Sequence, residues 1–346
     1  MTETHRTSMQ SVQIVGYKQP FQYTKQDNIP VPQPNEVLIK VKASGLCSTD
    51  IHLLQGRVDL GQLPRIPGHE TAGEIVEIGS DVVSWQVGQR VTVAIDVACG
   101  KCVHCLTGQT QRCPFKTRIG FERDGGHAEY VAVPATNLVL LPDNISYEDA
   151  SILPDAMACM YHCLVAQGQL RVNQKLVILG IGGLGIHGVQ IARIAGADVV
   201  ATSRRSHRLQ AAREFGAIPV NPLEENLADV VNDFSQGVGA DVVADCIGTV
   251  ASIQEGLSLL RPGGKLLVIA YIDEMFQVPS IPLFSLEKEI IGCRGSTKQE
   301  LIEVVDLVAQ GKLKSVIGAE YPLSQIHQAV ALLEAGNVMG RIVLVR

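Results

Sequence analysis

Aromatic residues are scarce in this chain of 346 residues, 4% in all, with a single tryptophan, Trp85. Charge is sparse too: 18% of residues are charged, 29 Lys+Arg against 35 Asp+Glu, for a formal net charge of −6. An acidic chain with scattered cations excludes a general nucleic-acid binder. No apolar run reaches the roughly 18 residues of a membrane span, so no membrane partner is expected. Met1 to Gln10 is polar and lacks the apolar centre of a secretory leader, which makes a cytoplasmic protein the expectation. What the chain does have is 46% hydrophobic residues and 33 glycines. That composition rules out disorder for the bulk of the chain, and the length predicts about two domains.

The first 145 residues read as short strands broken by Gly and Pro: Ser11 to Val15, Glu36 to Val41, Gly73 to Ile78, Arg90 to Ile95 and Glu129 to Val133. The character changes near Ser146. Glu148 to Val165 reads as helix, and Lys175 to Leu179 is a continuous apolar run typical of a strand buried on both faces. Strands and helices then alternate: Val199 to Thr202, helix Ser206 to Phe215, Asp241 to Asp245, helix Val250 to Leu260, and Gly264 to Ala270. Such alternation predicts an α/β fold with a parallel sheet. Glu300 to Gln310 reads as helix and Arg341 to Arg346 as a closing strand. Glu289 to Cys293 reads as a strand able to pair across a subunit interface.

Gly180-Ile181-Gly182-Gly183-Leu184-Gly185 follows the buried strand and opens a helix, the setting a dinucleotide loop requires. Glycines permit the tight turn and close approach to a pyrophosphate, which the free N–H groups of the helix start then hold. A glycine-rich turn that binds nothing is the competing reading, and the repeated strand–helix context argues against it. NAD-binding loops place an Asp or Glu about 20 residues after the first glycine, on the ribose. Here the segment is Thr202-Ser203-Arg204-Arg205-Ser206-His207-Arg208, with no carboxylate between Asp198 and Glu214. A hydroxyl followed by guanidiniums suits a 2′-phosphate. NADP(H) is therefore expected over NAD(H), carried by Ser203 and Arg204, with Arg205 or Arg208; Arg208 could equally sit on a solvated helix start. Ile247 joins them as a cofactor-binding residue.

Of nine cysteines, four fall at Cys99, Cys102, Cys105 and Cys113. Clustered thiols in a reducing compartment read as metal ligands rather than disulfides. Four thiolates this close can wrap one ion tetrahedrally, which suits a structural Zn²⁺; an iron–sulfur cluster is the alternative. His104, between them, reads as a bystander. A second group, Cys47-Ser48-Thr49-Asp50-Ile51-His52 and Gly68-His69-Glu70, is not a metal site by spacing alone. His127, in Gly125-Gly126-His127-Ala128, reads as a structural residue of a turn, and His162 and His187 as structural residues on helices.

Gly68-His69-Glu70 with Gly73 and Gly79, the four-cysteine lobe and the Gly180–Gly185 loop, in that order, resemble the zinc-dependent medium-chain alcohol dehydrogenase family over essentially the whole chain. The resemblance implies a Rossmann doubly wound parallel sheet plus a GroES-like β-rich catalytic domain. The catalytic domain would take residues 1–155 and 296–346, with a structural zinc lobe at 96–114, and the dinucleotide domain 156–295; the site would lie at the carboxyl ends of the strands. By resemblance Cys47 and His69 bind a catalytic zinc. Glu70 lies beside it, as an exchangeable ligand or an aid to exchange, and Asp50 orients the zinc-bound imidazole. Thr49 and His52 match a proton relay, and Arg341 an arginine that meets the cofactor phosphates. Where many members have Cys after Leu-Pro, this chain has Leu153-Pro154-Asp155. Asp155 is the expected third ligand, since carboxylate oxygen is a normal zinc ligand, and Cys159, one helical turn on, is the alternative.

The implied activity is hydride transfer between an alcohol, or an aldehyde or ketone in reverse, and NADP(H), with two Zn²⁺ per subunit, in a homodimer or homotetramer. A polyol or sugar dehydrogenase of the same family is the second reading, and a non-enzymatic dinucleotide-binding module the third. Ile51, Ile95 and Phe121 are the implied pocket residues.

Overall fold

The computed structural model describes residues 8–270 and 273–346. Residues 1–7 of the polar N-terminal stretch lie outside the described residues. The chain divides into two compact units. One comprises Met1–Asp155, Gly295–Gln310 and Ile317–Arg346; the other Ala156–Arg294 and Gly311–Val316. Among the described residues no helix is long and apolar enough to cross a membrane.

The first unit is built on a seven-stranded sheet. Its central strand, Glu36–Leu46, pairs antiparallel with Glu70–Ile78 on one side and with Arg341–Val345 on the other. Tyr130–Pro134 also pairs with its first half. Val37, Ile39 and Val41 alternate along this strand and bury one face against Ile75, Val91, Val131 and Val133, the period-two pattern that the pleat demands. The other end of the strand has a different job. Gly45 pairs with Glu70, and Leu46 with Ile342. The residues just beyond these pairs are Cys47, His69 and Arg341, so the register brings three distant side chains to one end of the sheet. A small ladder, Asp96–Val97 with Thr117–Arg118, closes the base of the segment that carries the four clustered cysteines.

The second unit holds six strands, all parallel, in the spatial order Ile218–Val220, Asp198–Thr202, Lys175–Leu179, Ala240–Asp245, Leu260–Val268, Glu289–Gly292. In chain order this is 3-2-1-4-5-6, the doubly wound arrangement, with its switch point between Lys175–Leu179 and Ala240–Asp245. Leu176, Val177, Ile178 and Leu179 are all buried, as a strand covered on both faces requires. Glu289–Gly292 is an edge strand that pairs only with Leu260–Val268 among the described strands. Gly311–Val316 belongs with this unit through His187, whose Nε2 accepts from Val316 N at 3.1 Å, and through paired bonds between Gln190 and the Lys314 backbone at 3.0 and 2.9 Å.

The helix expected over Glu148 to Val165 is not regular. It runs as α-helix Tyr147–Ser151, a π-turn Leu153–Met157, α-helix Ala158–Tyr161 and a second π-turn His162–Gln167. Pro154 has no N–H to give to the helical ladder, and the chain widens around it. Widened turns of this kind mark functional segments, and this one carries Asp155.

Candidate metal centre and dinucleotide loop

Strand ends and one helix start assemble the first site. Cys47 follows the central strand and stands at the start of helix Ser48–Leu54, where Cys47 N donates to Asp50 Oδ2 at 2.9 Å. His69 precedes Glu70–Ile78 and is buried. Asp155 arrives on the π-turn. The ligand atoms of Cys47, His69 and Asp155 all lie within 4.8 Å of one another. Cys47 Sγ and His69 Nε2 each stand 3.7 Å from Asp155 Oδ2. Thr49 Oγ1 lies 3.5 Å from Cys47 Sγ. His52, on the same helix three residues on, is half-buried; burial first, and Arg57 second, hold its pKa below the ordinary imidazole value. Phe121 covers His69 with ring centroids 5.4 Å apart.

A ring of charge surrounds these three groups. Arg341 is buried, donating from Nε to Glu70 Oε1 at 3.1 Å and from Nη2 to Asp155 Oδ2 at 2.6 Å. The guanidinium expected to meet cofactor phosphates thus binds two carboxylates of its own unit. Glu70 is fully buried, and its place depends on Gly45: a Cβ there would overlap Glu70 Oε2. Burial alone would raise the Asp155 pKa, but the neighbouring His69 and the Arg341 charge outweigh it and hold the carboxyl at about 2. Asp50 is likewise held below its ordinary value, burial being outweighed chiefly by His69. Two carboxyl groups, Glu70 and Asp155, share the Arg341 guanidinium, and a third, Asp50, is buried beside His69; a divalent cation among them would offset negative charge. One sulfur, one imidazole nitrogen and one carboxylate oxygen form a three-ligand set that leaves a fourth position open, the pattern of catalytic zinc. Cys159, the alternative third ligand, is not in this group; it is buried in the second unit beside Cys163.

The second candidate metal group is Cys99, Cys102, Cys105 and Cys113, whose sulfurs also lie within 4.8 Å of one another. The Cys102–Cys105 separation is 3.4 Å and Cys99–Cys105 is 3.9 Å. Tetrahedral bonding at a Zn–S length of about 2.3 Å places sulfurs about 3.8 Å apart, so the cage already has the right dimensions. The Lys101 backbone N–H, followed by contributions from Cys102 and Cys113, lowers the Cys99 pKa to about 6, toward the thiolate that metal binding needs.

In the second unit, Gly180–Gly185 leaves the strand Lys175–Leu179 at the switch point. Gly180 takes φ +92°, a region closed to most side chains, and its N–H donates to Thr202 Oγ1 at 3.2 Å. A Cβ on Gly185 would overlap Gly180 O, so the helix Gly185–Ile194 can begin this close to the strand only with glycine there. Ile247 stands beside the same turn, 2.8 Å from where a Gly180 Cβ would sit. Its loop is fixed by buried Asp245, whose Oδ1 accepts from Ile247 N at 2.9 Å and Gly248 N at 3.1 Å. Ser203 Oγ accepts from Arg205 N at 3.1 Å. Arg204 and Arg205 are exposed, while Arg208 is half-buried with Nη1 4.0 Å from the Cβ position of Gly182. Burial first, then Arg205, lowers the Arg208 pKa. His187 is committed to structure, Nδ1 lying 2.7 Å from Gly183 O.

Comparison with known proteins finds two family models along the chain. Residues 33–143 match the model of the alcohol dehydrogenase GroES-like domain, and residues 183–310 that of the zinc-binding dehydrogenase. The chain is 33% identical over 339 residues to an alcohol dehydrogenase of Geobacillus stearothermophilus, covering 97% of this chain and 99% of that one. It is 32% identical over 317 residues to the D-arabitol-phosphate dehydrogenase of Enterococcus avium, covering 90% of each. The alcohol dehydrogenase of the archaeon Aeropyrum pernix superposes with a TM-score of 0.91 at 27% identity, over 97% of this chain and 100% of that one. On these matches the chain belongs to the zinc-type medium-chain alcohol dehydrogenase/reductase family, with its GroES-like β-rich part and its Rossmann sheet.

Proposed function

We propose that this chain is an NADP(H)-dependent alcohol dehydrogenase or carbonyl reductase, with Cys47, His69 and Asp155 as the ligands of its catalytic zinc. The observation that carries the reading is the convergence of those three ligand atoms within 4.8 Å, beside a threonine hydroxyl. A zinc ion held there would supply Lewis-acid chemistry, lowering the pKa of an alcohol or polarising a carbonyl, and a bound nicotinamide would supply the hydride acceptor or donor. The chain's own residues do the rest. Thr49 Oγ1 holds the hydroxyl proton of the alcohol, and His52, kept neutral by its partial burial, passes it on toward solvent. Asp50 fixes the His69 imidazole. Arg341 holds Glu70 and Asp155 and keeps their charge from repelling the ionising alcohol. Cys99, Cys102, Cys105 and Cys113 hold a second, structural zinc.

For the cofactor, the Gly180–Gly185 backbone, including Gly182, Gly183 and Leu184, takes the pyrophosphate. Ser203, Arg204, Arg205 and Arg208 take the 2′-phosphate of NADP(H), supported by the absence of any carboxylate between Asp198 and Glu214. Ile247, exposed beside the loop, contacts the dinucleotide. A polyol or sugar-phosphate substrate is the second reading, favoured by the likeness to the arabitol-phosphate enzyme. The edge strand Glu289–Gly292 offers a second copy a surface for sheet extension, in keeping with a homodimer or homotetramer.

The test is oxidation of NADPH and of NADH by a panel of aldehydes, ketones and ketoses, with matched metal-stripped samples. The expected result is NADPH-dependent turnover that is lost on stripping and returns with zinc. A preference for NADH would reduce Arg204 to a solvated helix start, and turnover that survives stripping would remove the metal from the chemistry.

A further inference from the structure

We propose that His127 is a positioning residue of the candidate metal centre: latched by Ser44, it holds the Asp50 carboxylate against His69 and so decides which His69 nitrogen is bare for a metal. The inference rests on the Cys47–His69–Asp155 reading and adds a residue to it.

The backbone places His127 with little freedom. Gly125 N donates to Ile66 O at 2.9 Å, His127 N to Pro67 O at 3.0 Å and Gly126 N to Gly68 O at 2.7 Å, so this loop runs along the segment leading into His69. Val12 N donates to His127 O at 2.8 Å. Arg346 fastens the loop from behind, donating to the carbonyls of Ala128, at 3.0 Å, and Gly126. Gly68, at φ +96°, is what lets the ring approach: a Cβ there would stand 2.5 Å from His127 Nδ1. So many bonds exceed what a turn needs merely to close.

The side chain completes the case. His127, Ser44 and Asp50 are all fully buried. His127 Nδ1 lies 2.7 Å from Ser44 Oγ, and His127 Nε2 lies 3.8 Å from Asp50 Oδ1. The same Oδ1 is 3.7 Å from His69 Nδ1. Asp50 Oδ2 is already taken by Cys47 N. Asp50 Oδ1, His69 Nδ1 and His127 Nε2 are buried atoms with no hydrogen-bond partner among the described residues. Buried polar atoms are nearly always paired, and closing both gaps to about 3 Å satisfies all three at once.

The proton positions then follow. A carboxylate oxygen only accepts, so both imidazole nitrogens that face Oδ1 must carry hydrogen. With its proton on Nδ1, His69 presents a bare Nε2 toward Cys47 and Asp155, the form a metal needs. With its proton on Nε2, neutral His127 has a bare Nδ1, to which the Ser44 hydroxyl donates. Ser44 thus excludes the His127 tautomer that would set a lone pair against the carboxylate.

The test compares full-length His127→Gln, His127→Asn, His127→Leu and Ser44→Ala with wild type, reading zinc release to a chromophoric chelator alongside thermal melting. Gln places an N–H near the position of Nε2 and reaches Asp50; Asn reaches only toward Ser44; Leu keeps volume without a donor. Zinc in the four-cysteine lobe is the internal control. Loss of a direct partner of a ligating histidine costs about 10–100-fold in metal affinity, so a partner one step further out is expected to cost about threefold to tenfold. Asn and Leu should release the Cys47–His69 zinc faster by that factor, Ser44→Ala by less, and Gln should stay within about twofold of wild type, with lobe zinc unchanged throughout. If Gln behaves as Leu does, or Leu as wild type, His127 is only a packing residue. A wild-type chain that binds a single zinc overturns the metal-site reading as well, which keeps the two failures apart.

Discussion

Replacing Asp155 with Asn removes one negative charge and almost no volume. In the folded protein this carboxyl is held at about 2 against an ordinary value of 3.8, burial being outweighed by His69 and Arg341. That lowering corresponds to about 2–3 kcal/mol of stability. The folded pKa is the lower one, so the contribution is fully present above pH 4–5 and is lost as pH falls from about 4 to about 2. Asp155→Asn, stripped of metal, should therefore unfold at lower urea than stripped wild type at pH 7. The gap should hold from pH 5 to 8 and narrow below pH 4. The metal readout is independent. An amide oxygen is a poor substitute for a carboxylate, so the variant should retain only the lobe zinc after brief chelation, where wild type retains two. Urea midpoints across pH, with zinc counted by a chromophoric chelator, check both. A variant that keeps both zincs with wild-type release kinetics would refute Asp155 as a ligand and turn attention to Cys159; a stability gap independent of pH down to pH 2 would refute the electrostatic origin.

Two further outcomes test the relay and the cofactor contact. Thr49→Val deletes the hydroxyl 3.5 Å from Cys47 Sγ while keeping its shape, so turnover should fall by about 10²-fold or more with zinc content unchanged; unchanged turnover excludes Thr49 from proton transfer. Arg204→Ala should raise the KM for NADPH by about 10–100-fold, the cost of about 1.5–3 kcal/mol for a hydrogen bond to a charged group, and leave the KM for NADH within about twofold; equal effects on both would remove the phosphate assignment.

Much of the second unit was legible because its signals are local. A strand buried on both faces shows as an uninterrupted apolar run, Lys175–Leu179, and the glycines at its end are required by backbone contacts within the same few residues. The four-cysteine lobe is equally local, its ligands contained between two short strands that pair with each other. Helices Leu227–Phe234 and Ile326–Ala335 are less legible, because each is short and its apolar residues are buried only by segments distant in the chain. The break of the helix after Ser151 into π-turns was not legible either: Pro154 announces a disturbance, but the surroundings decide whether the chain kinks, stops or widens.

The amino-acid sequence by itself determined the class of the fold, the dinucleotide loop and the spacing of the cysteine lobe, since each depends on residues near one another in the chain. Tertiary structure alone decided what surrounds Cys47 and His69. Strand register sets Arg341 against Glu70 from 271 positions away, and the widened helical turn Leu153–Met157 brings Asp155 beside Cys47 from 108. The loop bonds to Pro67 and Gly68 turn His127, a residue of a glycine-rich turn, toward Asp50, 3.8 Å from its carboxylate. Spacing cannot report such meetings, because a sheet joins residues by the hydrogen-bond partners of their strands rather than by their distance along the chain.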